Sequence, residues 1–207
     1  MTPRRQPPRL YLVTPVLDDT AAFAEHIDEV LTAGDIAAVL LRLNDADERT
    51  LINRVKSLGE AVQRRDIALL LDGRAELVAR AGADGAHLTG IEALRAAFPL
   101  LKPDRIAGAA GLRSRHDAML AGEIGADYAM FGEPPRPSIT TVEERLAWWA
   151  ELFQPPCIGY AASADEVGPI VRAGADFLAL GDWIWTEPSG ARQAVAAASN
   201  SAGAAFV

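Results

Sequence analysis

Apolar residues in this chain fall into two patterns that take turns along its length. Short, nearly uninterrupted apolar runs occupy Leu10–Thr14, Ala37–Arg42, Ala68–Leu71, Gly85–Leu88, Arg105–Ala109, Asp127–Phe131, Cys157–Tyr160 and Phe177–Leu180. Runs of that length without polar alternation predict strands covered on both faces, as in parallel sheets. Between them lie stretches with apolar residues every three or four positions, which predict helices. These are Thr20–Ala33, Asp47–Arg64, Arg74–Arg80, Ile91–Phe98, Ser114–Ala121, Val142–Phe153, Ala164–Ala173 and about Pro188–Ala198. In the first, Phe23, Ile27, Val30 and Leu31 share a face; in the second, Leu51, Val55, Leu58 and Val62 do. A proline-rich loop, Glu133–Ser138, separates the sixth strand from its helix.

Four of the helix-to-strand junctions repeat one short phrase. Ala33-Gly34-Asp35, Gly82-Ala83-Asp84, Gly125-Ala126-Asp127 and Gly174-Ala175-Asp176 each end a helix and open a strand. Glycine suits a helix C-terminus because it takes positive φ without a Cβ clash. Successive copies begin 49, 43 and 49 residues apart, about two strand–helix units each time. Eight strands alternating with eight helices predict an α/β fold, a compact (β/α)8 TIM barrel of eight parallel strands. The whole chain, 1–207, is expected to form that one domain, with a loose N-terminal segment over 1–8 and a flexible tail over 199–207.

Composition narrows the range of functions. Half of the residues are hydrophobic, enough for a large core, and the formal net charge is −8. An acidic chain is a poor partner for nucleic acid or an anionic membrane surface. A small anionic ligand would need a local cluster of cations or backbone amides. No apolar stretch approaches the length of a membrane span, and Arg4, Arg5 and Arg9 lead into a strand rather than a signal-peptide core, so a cytoplasmic protein is expected. The single cysteine, Cys157, rules out an intramolecular disulfide and is expected in a buried strand.

In such barrels the chemistry lies at the C-terminal ends of the strands. That rule selects Thr14, Arg42 and Asn44, Asp72 and Arg74, His87, Gly108 with Gly111 and Arg113, Glu133, Gly159 with Tyr160, and Gly181-Asp182-Trp183. Glu92 follows in the first turn beyond strand four. Arg42 closes an apolar run and needs a carboxylate, a phosphate or water: either an internal pair with Asp72, or an anionic ligand. His87 is read either as a satisfied structural hydrogen-bonder or as a general acid or base. Asp72 and Glu92 are candidates to share a magnesium ion, which favours carboxylates and phosphate oxygens. Gly159, Gly181, Asp182 and Trp183 stand where phosphate commonly docks on backbone amides. Trp148-Trp149 is read as a packing pair, with a homo-oligomer interface as its alternative use.

Three segments resemble the thiamine phosphate synthase and TenI-like family. Leu10-Tyr11-Leu12-Val13-Thr14 is similar to its opening strand, and Gly82 through Leu88 to its GADGVHL motif. Gly125-Ala126-Asp127-Tyr128 through Gly132 is similar to GADYxxxGP, with Glu133 in place of the proline. The resemblance implies the barrel fold and the coupling of hydroxymethylpyrimidine pyrophosphate to thiazole phosphate, with release of pyrophosphate and help from Mg²⁺. The partner it implies is thus a small phosphorylated heterocycle. On the synthase reading Arg42 belongs to the chemistry, with Arg42, Asn44, Arg74, Arg113 and Arg136 near phosphate groups; on a TenI-like reading the catalytic base is His87 or Glu133. The chain departs from the pattern at several points. Of Gln-x-Arg-x-Lys only Arg42 remains, Asp72-Gly73-Arg74 stands for Asn-Asp-Arg, and Gly90-Ile91-Glu92 stands for Gln-Glu-Asp. Asp72 and Glu92 are then the carboxylates left for the metal. The departures keep a second reading open, a non-catalytic or TenI-like barrel that binds a thiazole- or pyrimidine-type molecule.

Overall fold

The computed structural model describes residues 6–135 and 137–206. Its eight strands are β1 (Arg9–Leu17), β2 (Ile36–Leu43), β3 (Ala68–Asp72), β4 (Gly85–Thr89), β5 (Ile106–Ala110), β6 (Tyr128–Phe131), β7 (Cys157–Ala161) and β8 (Phe177–Leu180). All pair in parallel in sequence order, and β8 pairs with β1 to close the barrel. The helices are α1 (Thr20–Val30), α2 (Glu48–Gln63), α3 (Ala75–Ala81), α4 (Ile91–Leu101), α5 (Arg115–Ile124), α6 (Ile139–Leu152), α7 (Val167–Ala173), α8 (Trp183–Thr186) and α9 (Ala191–Ala205). The fold expected from the apolar pattern is the fold observed.

Closure sorts the strand residues into two cores. Leu10, Leu12, Val39, Leu41, Leu69, Leu71, Leu178 and Leu180 face outward and join the helices in one large cluster. The alternate residues Tyr11, Val13, Ala38, Leu40, Leu70, Tyr128, Met130, Ile158, Tyr160 and Ala179 fill the barrel interior. Aromatic side chains inside so narrow a barrel need gaps opposite them. A Cβ on Gly108 would lie 1.9 Å from the Tyr128 ring, and one on Gly85 would lie 2.2 Å from the backbone oxygen of Ile106. These two glycines make room where any side chain would overlap.

The repeated junctions have a tertiary role as well as a local one. Gly82, Gly125 and Gly174 cap their helices with φ of 78°, 102° and 105°. The aspartate two residues on then grips one residue of the neighbouring strand at both of its backbone groups. Asp84 donates its N–H to Leu69 O and accepts Leu69 N–H on its carboxylate at 2.7 Å. Asp127 does the same with Ala107, and Asp176 with Cys157, at 2.7 and 2.9 Å. Asp127 also holds Lys102. Asp35, in the first copy, instead pairs with the Arg9 side chain, and only its carbonyl reaches the strand, at Leu10. Asp127→Ala and Asp176→Ala are therefore expected to lower stability by about 1–3 kcal/mol each, the cost of orphaning a buried N–H. Urea unfolding measures this, with Asp35→Ala as the milder control; three equal losses would remove the distinction.

Several boundaries differ from the sequence reading. β1 runs past Pro15 to Leu17, because a register irregularity between Val13 and Val16 carries the proline through while Val16 and Leu17 pair with Arg42 and Leu43. Residues 199–205 of the expected flexible tail form the last turns of α9, where Ala202 is buried against the barrel's helix layer, and Val207 lies outside the described residues. The run of small residues packs closely despite carrying little apolar bulk. Of the expected loose segment, residues 1–5 lie outside the described residues, while Gln6–Pro8 precede β1 and Pro8 is buried. Trp149 is only 1% exposed and faces inward, so of the tryptophan pair only Trp148 retains any surface.

Candidate active site

The C-terminal ends of the strands form the mouth of the barrel, and its two sides differ. On the side of β1, β2, β3 and β8 the cations are met by the chain's own aspartates. Arg42 donates its Nε to Thr14 O at 2.6 Å and a terminal nitrogen to Asp182, while its backbone N–H goes to Thr14 Oγ1 at 3.0 Å. The internal carboxylate partner of Arg42 is thus Asp182, not the expected Asp72. Arg74 pairs with Asp45 at 2.5 Å and Asn44 donates to Asp18 at 2.9 Å. Asp72 lies exposed at the end of β3. Desolvation by the surrounding walls lifts its carboxyl above the usual range, and Arg42 and Arg74 pull it back down.

The glycines expected to cradle phosphate are turned to other uses. A Cβ on Gly159 would meet Ile170 at 2.3 Å, so its bare face accommodates α7 rather than a ligand. A Cβ on Gly181 would meet the Tyr160 hydroxyl at 2.3 Å, and the Gly181 N–H is bonded to Ala161 O. Trp183 also donates its indole N–H to Ala161 O, at 3.1 Å. Asp182 adds a negative charge where a phosphate would have to enter.

On the side of β4, β5 and β6 the mouth opens into a cavity of about 580 Å³. Its walls include Glu92, Arg113, Asp117, Glu133 and Arg145, with Ile91, Leu112, Met130, Phe131 and the loop prolines between them. Arg145, on α6, holds the backbone carbonyls of Leu112 and Arg113 at 3.0 and 2.6 Å and so fixes that loop. Arg113 itself has no side-chain partner among the described residues. One Glu133 carboxylate oxygen accepts the Gly111 N–H, and burial pushes the carboxyl up, opposed chiefly by that bond. Asp117 and Arg145 were not apparent from sequence, because they lie on helices and reach the mouth only through packing. Arg136 lies outside the described residues.

His87 points into the barrel rather than the cavity. Its Nδ1 lies 2.8 Å from the Tyr128 hydroxyl, which is 3.0 Å from the Tyr11 hydroxyl, and all three residues are buried. This is the structural alternative for His87 in hydrogen-bonded form. Burial holds its imidazole at about 4, below the ordinary 6.5. A histidine kept neutral by the fold stabilises fully above pH 6.5, and that contribution is lost as pH falls toward 4, where the unfolded chain takes the proton first. The gap corresponds to about 3 kcal/mol. The stability difference between the wild type and His87→Gln is expected to shrink by that order between pH 8 and pH 4. A difference that stays constant with pH would remove this assignment.

No group of three His, Cys, Asp or Glu side chains able to hold a metal gathers among the described residues. Magnesium seldom needs such a cage, since one or two carboxylates plus substrate phosphates commonly hold it. Asp72 and Glu92 have the right donor chemistry for that arrangement. Of the two, Glu92 lines the cavity and Asp72 does not.

Comparison with known proteins adds an independent line. The family model described as thiamine monophosphate synthase matches residues 10–184. A thiamine-phosphate synthase of Rhodospirillum centenum is 42% identical over 195 residues, covering 91% of this chain and 94% of that protein. Another from Hyphomonas neptunium is 38% identical over 212 residues, covering 95% and 96%. Among solved structures, thiamine phosphate pyrophosphorylase from Pyrococcus furiosus superposes with a TM-score of 0.79 at 22% identity, over 96% of this chain and 97% of that one. At that identity the likeness concerns the fold.

Proposed function

The chain belongs to the thiamine monophosphate synthase family and is thiamine phosphate synthase-like in function, and from that premise we propose that it couples hydroxymethylpyrimidine pyrophosphate to thiazole phosphate. The C–O bond between the pyrimidine methylene and pyrophosphate breaks, its electron pair leaving with pyrophosphate, and the thiazole nitrogen forms the new C–N bond. The observation that carries this reading is the match to the family over residues 10–184, which spans every strand end of the mouth.

What the site must do follows from charge. Positive charge develops on the pyrimidine methylene, and negative charge grows on the departing oxygen. Arg42 is the best-placed cation for the latter, since its guanidinium is already oriented by Thr14 and need not reorganise. Its pairing with Asp182 holds the guanidinium in place until an anion displaces the carboxylate. Arg113, on the cavity side, is a second cation available to a phosphate group. A bound Mg²⁺ would neutralise charge on the leaving pyrophosphate, and Asp72 and Glu92 are the residues that would hold it.

The direct test supplies the purified protein with both substrates and Mg²⁺ and measures thiamine phosphate and pyrophosphate together. Equal amounts of the two products are expected. Binding of both substrates with no product would overturn the reading in favour of a binding barrel.

A further inference from the structure

The cavity at the ends of β4, β5 and β6 holds two unmet groups of opposite kind. Glu133 Oε2 is the only buried side-chain oxygen or nitrogen among the described residues that lacks a hydrogen-bond partner. Its other oxygen accepts the Gly111 N–H, so the carboxyl is held in orientation rather than free to swing away. Arg113 lines the same cavity, and its guanidinium has no partner among the described residues. Buried polar atoms are nearly always paired in native proteins, and an exception points to strain, chemistry or an absent ligand.

The surrounding charges decide what would complete this pair. An unpaired guanidinium calls for an anion, and on the synthase reading the anion at hand is the pyrophosphate. A carboxylate beside that anion would repel it, so Glu133 is useful there only as the neutral acid. Burial favours that form by lifting the carboxyl above its ordinary range, against the Gly111 bond and the Arg145 charge. Arg145 directs both terminal nitrogens to the carbonyls of Leu112 and Arg113, which leaves Oε2 without a paired cation. Glu92 and Asp117 line the cavity as further acids, and the buried Tyr11 and Tyr128 hydroxyls within electrostatic reach stay neutral. None of these four draws the proton away. In the neutral acid Oε2 carries a hydroxyl, and a phosphoryl oxygen is the acceptor it lacks.

We propose that Glu133 is a catalytic acid of the coupling reaction, its Oε2 proton passing to the pyrophosphate as that group departs; this rests on the synthase reading. The C–O bond to the pyrimidine methylene breaks, and its electron pair stays with the pyrophosphate. A non-bridging phosphoryl oxygen takes the proton, which gives hydrogen pyrophosphate and a Glu133 carboxylate. Once the product leaves, water returns a proton to Oε2. An acid at this place lowers the barrier because the departing group carries less charge away. Arg113 serves the same end by charge alone.

The test compares the wild type with Glu133→Gln, which keeps the shape and a donor but has no proton to transfer. The variant is expected to lose about 10²-fold or more in kcat. In the wild type kcat is expected to decline as pH rises through the Glu133 ionisation, and that limb is expected to vanish in the variant. A substrate with a less basic leaving group, a difluoromethylene bisphosphonate, is expected to recover most of the variant's loss. The same substrate is expected to shrink the alkaline limb of the wild type, a reading that needs no variant to fold. Calorimetry with inorganic pyrophosphate at alkaline pH reads the contact without turnover: the wild type is expected to take up more protons than Glu133→Gln. A limb that persists in the variant, an equal loss with both leaving groups, or equal proton uptake overturns the proposal. A wild-type limb unchanged by the leaving group does so too. Turnover with Glu133→Gln unimpaired sinks only the acid assignment. A wild type that makes no thiamine phosphate yet keeps the difference in proton uptake sinks the synthase reading and leaves Glu133 as the donor to bound pyrophosphate.

Discussion

Arg42→Ala is expected to lower kcat/KM for the coupling reaction by about 10²–10³, corresponding to roughly 3–4 kcal/mol of transition-state stabilisation. The side chain is 21% exposed, and its Nε is fixed on Thr14 O at 2.6 Å. One edge of the guanidinium is therefore committed to the barrel, while a terminal nitrogen reaches the mouth. Arg42→Lys is expected to recover little, because a single ammonium cannot hold Thr14 and present a second donor at once. The fold itself is expected to tolerate the change. Asp182 is 62% exposed, and an ion pair in that setting contributes at most about 1 kcal/mol to stability. Asp182→Ala provides the opposing control: it removes the internal competitor, so pyrophosphate affinity is expected to rise. Steady-state kinetics with a melting curve for each variant checks both. Unchanged kcat/KM in Arg42→Ala would take Arg42 out of the chemistry.

Trp149→Ala is expected to cost about 3–5 kcal/mol, the range for deleting a buried aromatic side chain, and to lower Tm by roughly 10 °C. Trp149 joins α6 to the outside of the barrel. Its ring stacks on Phe153 with centroids 4.3 Å apart, lies 5.9 Å from Phe131, and donates its N–H to Pro155 O at 2.7 Å. Removing it opens a cavity and orphans a carbonyl together. Its neighbour Trp148 is half-buried, with Arg115 over its ring at 5.1 Å. Trp148→Ala is expected to cost only about 1 kcal/mol, since little buried area is lost. Thermal unfolding of the two variants separates them. Equal losses would mean that α6 does not present Trp149 to the core.

The two adjacent tryptophans also show where sequence reasoning runs short. Helical periodicity marks α6 as amphipathic but does not say which of two neighbouring aromatic residues lies at the centre of the buried stripe. Strands pose the same difficulty. Tyr128 and Phe131 belong to one apolar run, yet Tyr128 fills the barrel and Phe131 packs on Trp149. Both faces of such a strand are dry, so no polar alternation records which side is which. The small residues of α9 misled in the opposite direction, because close packing of alanines leaves no apolar bulk to read.

From the sequence alone came the alternation of eight strands and eight helices, the capping glycines, and the strand ends at which chemistry must sit. All of these depend on contacts between near neighbours in the chain or on a general property of barrels. The state of each candidate was decided by tertiary structure. Arg42 meets Asp182 across 140 positions, Arg74 meets Asp45 across 29, and Glu133 reaches Gly111 across 22. Partners so distant leave no local signature, and only closure of the sheet brings them within hydrogen-bonding distance. Closure likewise leaves Glu133 Oε2 buried and unmatched beside an open cavity, because a carboxylate's partners are set by what the whole fold places around it.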